Sequence, residues 1–261
     1  MSITLYNEDN CKAIKNVADN SVDLTITSPP YDDLRDYHGY CFDFETIAKE
    51  LYRVTKPGGV VVWIVNDATV NGSETGSSFK QALYFKEIGF NLSDTMIWNK
   101  GSFTDAKSTL YRYPNVFEYM FILTKGSVKT FHSIKDRKTK HFGKETSVTK
   151  REKDGSISKI ENIKTVGEYG IRFNVWEIPP VRMSDEQTGH PAPFPEELVR
   201  DHIISWSNEG DTVLDPFMGG GTTGAVCKQL NRNFIGMEIS KEYFDIAKKR
   251  IENRGREEKL F

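Results

Sequence analysis

Apolar and polar positions along this chain follow two alternating patterns. Short apolar runs predict strands at 3–6, 22–27, 60–65, 92–98, 116–124, 211–215 and 234–238. Between these runs, apolar residues recur at helical spacing over 10–18, 44–55, 77–88, 195–206, 222–230 and 241–253. Strands that alternate with helices are typical of the α/β class. We therefore expect a doubly wound, mainly parallel sheet of seven strands.

The second predicted strand ends in the sequence Thr27-Ser28-Pro29-Pro30-Tyr31. Each proline fixes φ and removes an N–H donor, so the strand stops at a rigid corner. This corner offers a hydroxyl, outward-facing carbonyls and an aromatic ring, which suit a flat polar ligand such as a nucleobase. The same residues would also serve as a simple strand terminator with a packed tyrosine.

A glycine-rich segment follows the predicted strand 211–215, which ends in Asp215. The segment Gly219-Gly220-Gly221-Thr222-Thr223-Gly224 lets the backbone turn sharply and approach a ligand at the start of a helix. The next predicted strand ends in Glu238, an acid placed to bind the ribose hydroxyls of an adenosine-containing cofactor. Alone, this pattern fits NAD, S-adenosylmethionine or a structural turn.

Taken together and in this order, the two motifs resemble the beta group of DNA amino-methyltransferases. These enzymes methylate the exocyclic amine of cytosine (N4) or adenine (N6). The resemblance covers nearly the whole chain except about 126–175, a region that varies in the family because it reads the target sequence. It implies one methyltransferase domain over 1–261 with a Rossmann-like sheet, in which 126–175 is an inserted target-recognition region. It also implies S-adenosylmethionine as cofactor and double-stranded DNA as substrate.

The resemblance assigns roles residue by residue. The catalytic residues are Ser28, Pro29, Pro30 and Tyr31. The cofactor-binding residues are Asp9, His190, Asp215, Phe217, Gly219, Gly221, Thr222, Thr223 and Glu238. Asp9 could instead cap a helix, and His190 could be a hydrogen-bonded structural histidine. Arg35 and Tyr37 either close over the flipped base or touch DNA, with a surface loop that carries salt bridges as the alternative.

The chemistry explains why these residue types are needed. An exocyclic amine is a poor nucleophile because its lone pair is delocalised into the ring. Ser28 Oγ and the Pro29 carbonyl can accept both N–H bonds and localise that lone pair, while Tyr31 stacks on the flipped base. This reaction needs neither a metal nor a covalent enzyme intermediate.

The target base is a separate question. Relatives that act on adenine usually carry Asp at the position of Ser28, and serine is commoner in cytosine-N4 enzymes. The sequence therefore favours cytosine N4, with adenine N6 as the alternative. An NAD-dependent oxidoreductase would leave the Ser28 corner unexplained, and an inactive nucleic-acid-binding module would leave the intact motifs unexplained.

Net charge is −2 for the chain, but its distribution is uneven. Residues 125–164 carry 12 Lys/Arg and 5 Asp/Glu, a local charge of +7, which leaves −9 for the remainder. A basic insert on an acidic chain predicts contact with DNA phosphates. We expect the DNA-binding residues to include Lys135, Arg137, Lys138 and Lys140. The alternative is a solvated loop, because the segment is also poor in apolar residues.

Composition adds few constraints. The 261 residues contain no apolar run of 18 residues and begin with no signal-peptide pattern, so we expect a cytoplasmic protein without a membrane partner. Cys11, Cys41 and Cys227 are isolated, which suits a reducing compartment and predicts no metal site. A homodimer and a companion restriction endonuclease are left open.

Overall fold

The computed structural model describes residues 1–30, 42–102, 112–181 and 194–255, and of these it leaves out the side chains of 146–149 and 159–164. The chain divides into two compact units. The main unit comprises residues 1–132 and 174–261, and the small unit comprises residues 133–173.

Strands and helices alternate in the main unit. The described residues form the strands β1 (Ile3–Tyr6), β2 (Val22–Thr27), β3 (Thr55–Val65), β4 (Thr69–Val70), β5 (Ser73–Glu74), β6 (Asn91–Asn99), β7 (Phe117–Thr124), β8 (Lys135–Lys138), β9 (Glu145–Arg151), β10 (Ile157–Thr165), β11 (Tyr169–Ile171), β12 (Val175–Glu177), β13 (Thr212–Asp215) and β14 (Asn233–Met237). The helices are α1 (Asn10–Ala13), α2 (Phe44–Val54), α3 (Ser77–Glu87), α4 (Glu196–Trp206), α5 (Thr222–Gln229) and α6 (Lys241–Asn253).

The central sheet has eight strands in the order β1-β14-β13-β2-β3-β7-β6-β12. All neighbouring strands are parallel except at β7, which is antiparallel to both β3 and β6. The predicted α/β class and mainly parallel sheet are confirmed. The eighth strand, β12, was not predicted, because it has only three residues and two of them are exposed.

Helices cover both faces of this sheet, which explains its sequence. The run Val60–Val65 in β3 is apolar without alternation because a strand covered on both sides buries every side chain. Trp63 shares one core cluster with Leu51 of α2 and Phe85 of α3. On the other face, α4 packs against β2 and α5, and α5 packs against β13, β14 and α6.

Two predicted boundaries were wrong by several residues, whereas others differ by one. Strand β3 begins at Thr55 rather than at residue 60, and its pairing with β2 shifts register between Val22 and Leu24 to accommodate the extra residues. Helix α1 ends at Ala13 and continues only as a 3₁₀ turn over Ile14–Asn16. The Arg53 side chain donates to the carbonyls of Ile14 and Val17, both at 2.9 Å, so the chain turns away there.

Strands β2 and β13 are neighbours, with Leu24 opposite Val213 and Thr25 opposite Leu214. From β2 the chain continues through α2 to β3 on one side, whereas from β13 it continues through α5 to β14 on the other. This divergence is the topological switch point, where parallel sheets bind ligands beyond the carboxyl ends of the strands. The predicted adjacency of these two strands is confirmed.

The small unit consists of two antiparallel strand pairs, β8 with β11 and β9 with β10. Its segment lies within the predicted insert 126–175 and contains strands where the sequence indicated none. Among the side chains that the structure describes in this unit, none is buried, and large apolar residues such as Phe142, Tyr169 and Phe173 are exposed. Backbone pairing, rather than a core, therefore defines its structure. In the described residues of the chain, no helix combines the length and apolarity needed to cross a membrane.

Candidate active site

Three polar side chains lie at the carboxyl edge of the central sheet. Thr27 ends β2, Asp215 ends β13, and Glu238 directly follows β14. Because these strands are parallel and adjacent, their carboxyl ends share one edge. The resemblance assigned Asp215 to the cofactor loop and Glu238 to ribose binding, but it gave Thr27 no role of its own.

Asp215 is buried at 2% exposure, and both of its carboxylate oxygens accept hydrogen bonds from the protein. Oδ1 accepts from Thr27 Oγ1 at 2.8 Å and from the Phe217 backbone N–H at 3.1 Å. Oδ2 accepts from Thr223 Oγ1 at 2.7 Å. Burial raises the pKa of Asp215 to about 6, and the three hydrogen bonds oppose that shift. This carboxylate therefore ties the end of β2 to the first turn of α5.

The glycine-rich loop depends on backbone geometry that other residues rarely adopt. Gly221 has φ +78° and caps α5, and a Cβ there would lie 2.8 Å from both Cα and Cβ of Ala247. Gly219 has φ +48° and opens the same turn. The predicted helix start is confirmed at Thr222, so the loop leads directly into α5.

Arg250 supports this loop from α6, although no sequence signal singled it out. Its Nη1 donates to the Gly220 carbonyl at 3.3 Å and to Thr222 Oγ1 at 3.0 Å. Its Nη2 donates to Glu196 Oε1 at 3.0 Å, at the start of α4. One guanidinium thus joins the loop to two helices that are distant in sequence, and only the tertiary fold reveals it.

Glu238 lies at the tip of β14 and faces the same loop. Its Oε2 accepts from the Gly219 N–H at 3.1 Å, and its Oε1 accepts from the Ser240 N–H at 2.8 Å. Burial raises the pKa of Glu238, and these backbone hydrogen bonds oppose the rise. A carboxylate oxygen can accept more than one hydrogen bond, so each retains capacity for a ribose hydroxyl. The arrangement therefore fits an adenosine-containing cofactor.

Residues after β1 close the same edge. Asp9 caps α1 by accepting from the Lys12 N–H at 3.3 Å, which is the structural role that the sequence left open for it. The neighbouring Asn10 is buried, and its Nδ2 donates to the Pro216 carbonyl at 3.2 Å. Asn10, which sequence reasoning missed, thus joins α1 to the segment between Asp215 and the glycines.

The proline corner follows Thr27. Pro29 is buried, whereas Ser28 and Pro30 are partly exposed. Phe217 packs edge-to-face on Phe42, with ring centroids 5.3 Å apart, and its ring belongs to the margin of the core. Of the remaining predicted site residues, Tyr31, Arg35, Tyr37 and His190 lie outside the described residues.

The predicted DNA-binding residues lie in the small unit. Lys135 and Lys138 are the ends of β8, Lys140 follows that strand, and all three are exposed. Arg137, also on β8, is partly buried. These residues share one short segment, in which the three lysines face solvent.

Comparisons with known proteins agree with this geometry. The family model for N6/N4 DNA methylases matches residues 22–249. The orphan methyltransferase M.BamHII of Bacillus amyloliquefaciens is 53% identical over 245 residues, covering 92% of each chain. The type II methyltransferase M.BglII of Bacillus subtilis is 32% identical over 262 residues, covering 93% of this chain and 67% of that one.

A solved structure of the M1.HpyAVI–SAM complex matches with a TM-score of 0.62 and 27% identity, covering 95% of this chain and 99% of that one. Its bound S-adenosylmethionine agrees with the cofactor that the glycine loop and Glu238 fit. The chain belongs to the N6/N4 family of DNA methylases, and it is an S-adenosylmethionine-dependent DNA methyltransferase.

Proposed function

We propose that this protein transfers a methyl group to the exocyclic N4 amine of cytosine at a specific site in double-stranded DNA. The observation that carries the proposal is the position of Ser28. It directly follows Thr27, whose hydroxyl is held by the buried Asp215 at the switch point of the sheet. The polar side chain that follows Thr27 is therefore a neutral hydroxyl and not a carboxylate, which supports cytosine N4 as the target.

The protein's part in the reaction is to position and polarise the amine. When bound, S-adenosylmethionine supplies an electrophilic methyl group. Ser28 Oγ and the Pro29 carbonyl accept the two amine N–H bonds, so the nitrogen lone pair is directed toward that methyl. S-adenosylmethionine held at the glycine loop and Glu238 would supply this methyl to the amine nitrogen as its carbon–sulfur bond breaks, and the amine would lose one proton to solvent. Because a duplex hides this amine, the base is flipped out, and Tyr31 stacks on it.

In this proposal, several residues bind the cofactor. Glu238 accepts from the ribose hydroxyls, and Asp9 approaches the adenine amine while also capping α1. Gly219 and Gly221 permit close approach of the backbone. Asp215 acts differently, because its two oxygens are already engaged by Thr27, Thr223 and Phe217. It holds the shape of the loop.

Nucleoside analysis tests the target base. We expect that plasmid DNA from a methylation-free host, treated with the purified protein and S-adenosylmethionine, contains N4-methylcytosine after digestion to nucleosides. Mass spectrometry distinguishes this product from N6-methyladenine. N6-methyladenine as the product would overturn the cytosine assignment and favour the adenine alternative. Resistance of the methylated plasmid to type II endonucleases tests for a companion nuclease. Sedimentation of the protein tests for a homodimer.

A substitution at the corner tests the residue that carries the proposal. Ser28→Ala removes one amine acceptor without altering the glycine loop, so turnover should fall by roughly 10- to 1000-fold. The affinity for S-adenosylmethionine, measured by calorimetry, should stay within about twofold, since Ser28 does not belong to the cofactor loop. The matched control is Ser127→Ala, at an exposed serine after β7, which should keep wild-type turnover. Equal turnover in the Ser28 and Ser127 variants would remove the basis of the assignment.

A further inference from the structure

The pairing of β8 with β11 in the small unit forms a short antiparallel ribbon. Tyr169 lies opposite Lys138, Gly170 opposite Arg137, and Ile171 opposite Lys135. The register shifts between Gly170 and Ile171. An antiparallel ribbon of two strands is one of the elements that the major groove of DNA admits.

Arg137 is the one basic residue of β8 whose side chain the ribbon restrains. Its Nε donates to the Ile171 carbonyl at 3.0 Å. Its guanidinium carbon lies 4.2 Å from the centre of the Phe173 ring. A Cβ on Gly170 would lie 2.6 Å from Nη2, so only a glycine leaves room for the guanidinium where it lies.

These contacts occupy Nε and one face of the guanidinium, and they leave Nη1 and Nη2 available to a ligand. In the part of the chain that the structure describes, neither Nη1 nor Nη2 donates a hydrogen bond to a protein acceptor. The nearby carboxylate of Asp136 is engaged by Arg172, whose Nε donates to it at 2.8 Å, and this hydrogen bond lowers the pKa of Asp136. The planar fork of Arg137 is thus fixed before any ligand binds.

We propose that Arg137 reads a guanine base edge in the major groove of the DNA that this protein methylates. The inference rests on the proposed function, and it goes further by naming a specificity-determining residue. A restrained guanidinium suits bidentate donation to guanine O6 and N7, which requires fixed geometry. Phosphates require only charge, and the exposed lysines Lys135, Lys138 and Lys140 supply it without such restraint.

Two pairs of variants test the assignment. Arg137→Gln removes the fork, and Lys138→Gln, on the next residue of β8, removes a charge only. Gly170→Ala displaces the guanidinium, and its cost to folding should be small because Nη2 is the end of a flexible side chain. Gly167→Ala is the matched control, since the nearest atom to its Cβ would be the Tyr169 carbonyl oxygen at 3.7 Å. Neither glycine has a left-handed backbone.

The measurement is the rate of methylation on duplex libraries in which each position of the recognition sequence carries all four bases in turn. Arg137→Gln should weaken the preference for guanine at one position by roughly 10- to 100-fold and leave the other positions unchanged. Gly170→Ala should weaken the same preference by a smaller factor, and Gly167→Ala should keep the wild-type profile. Lys138→Gln should slow methylation of all sequences alike.

An Arg137→Gln variant that is slower on every sequence but keeps all wild-type base preferences would overturn this inference, because Arg137 would then contact a phosphate. That result leaves the proposed function intact. A wild-type protein that transfers no methyl group to any DNA would overturn both. Should the glutamine variant fail to fold, the Gly170→Ala profile decides alone: an unchanged guanine preference there would also overturn the assignment.

Discussion

The carboxyl edge of the central sheet and the ribbon of the small unit hold their charged groups in opposite ways. At the sheet edge, Asp215 is buried with an acceptor bond on each oxygen, and Glu238 receives backbone donors from two directions. On the ribbon, Lys135 and Lys138 are exposed to solvent. Among the basic residues of β8, Arg137 is the one that combines charge with restraint.

This difference corresponds to two tasks. A buried carboxylate is costly unless every hydrogen bond is made, so the network at the sheet edge specifies one loop geometry. Methyl transfer requires such a geometry, because small displacements of the reacting atoms reduce the rate steeply. Exposed lysines carry no such cost, and they can adjust to phosphates whose positions vary between DNA sequences. Restraint is therefore greatest where chemistry occurs, and among the basic residues of β8 it is found at Arg137.

The largest expected effect follows from removal of the buried carboxylate. Asp215→Ala leaves Thr27 Oγ1, Thr223 Oγ1 and the Phe217 N–H without their acceptor. Because a buried donor without a partner costs about 1–3 kcal/mol, the free energy of unfolding should fall on the order of 3 kcal/mol or more. Affinity for S-adenosylmethionine should fall with it, because the loop loses its anchor. Urea unfolding measures the first quantity and calorimetry the second.

Asp211→Ala is the matched control for this change. Asp211 directly precedes β13 and accepts from the Asn208 N–H at 2.7 Å at the protein surface. Its removal should cost less than about 1 kcal/mol. Equal losses of stability in the two variants would contradict the contrast between the buried network and the surface.

A smaller effect is expected at the ribose-binding acid. Glu238→Gln keeps the shape of the side chain but removes the charge that would accept from ribose hydroxyls. A hydrogen bond to a charged group contributes about 1.5–3 kcal/mol, so affinity for S-adenosylmethionine should weaken by roughly 10- to 100-fold. Glu242→Gln, an exposed residue in the first turn of α6, should leave the affinity unchanged. Similar affinities in both variants would show that Glu238 does not contact the cofactor.

These two regions also differ in how far the sequence could predict them. Strand β3 is buried on both faces, so the run Val60–Val65 stands out as apolar and marks the strand in the sequence, although β3 itself begins earlier, at Thr55. Strand β8 reads Lys135-Asp136-Arg137-Lys138, with no apolar alternation, because backbone pairing with β11 rather than burial keeps it extended. A pattern of hydrophobic positions carries no signal for such a strand.

The candidate site likewise contains some residues that the sequence could indicate and others that it could not. Asp215 and Glu238 could be proposed from the sequence because each lies at the end of a predicted strand, one before and one after the glycines. Arg250 and Asn10 contact the same loop from α6 and α1, and no local spacing marks them. Their roles arise from tertiary contacts between segments that are distant in sequence. For the same reason, the sequence suggested cofactor contact for Asp215 but not its bonds to Thr27 and Thr223.

The smallest effect per residue is expected from the exposed lysines of the ribbon. Substituting Lys135, Lys138 and Lys140 together by Gln should weaken binding to all duplexes and flatten its salt dependence. If each lysine contacts one phosphate, the slope of log affinity against log salt should fall by about 0.9 per contact. Affinity for S-adenosylmethionine should stay unchanged, because these side chains lie on β8 and the residue after it, whereas Glu238 and the glycine loop belong to the main unit. The control substitutes Lys80, Lys248 and Lys249, which are exposed on helices of the main unit, and thus removes the same charge. An equal loss of slope in the control would show that net charge alone governs DNA binding. The lysines of the ribbon would then have no special role in binding phosphates, whereas the proposal for Arg137 would be unaffected.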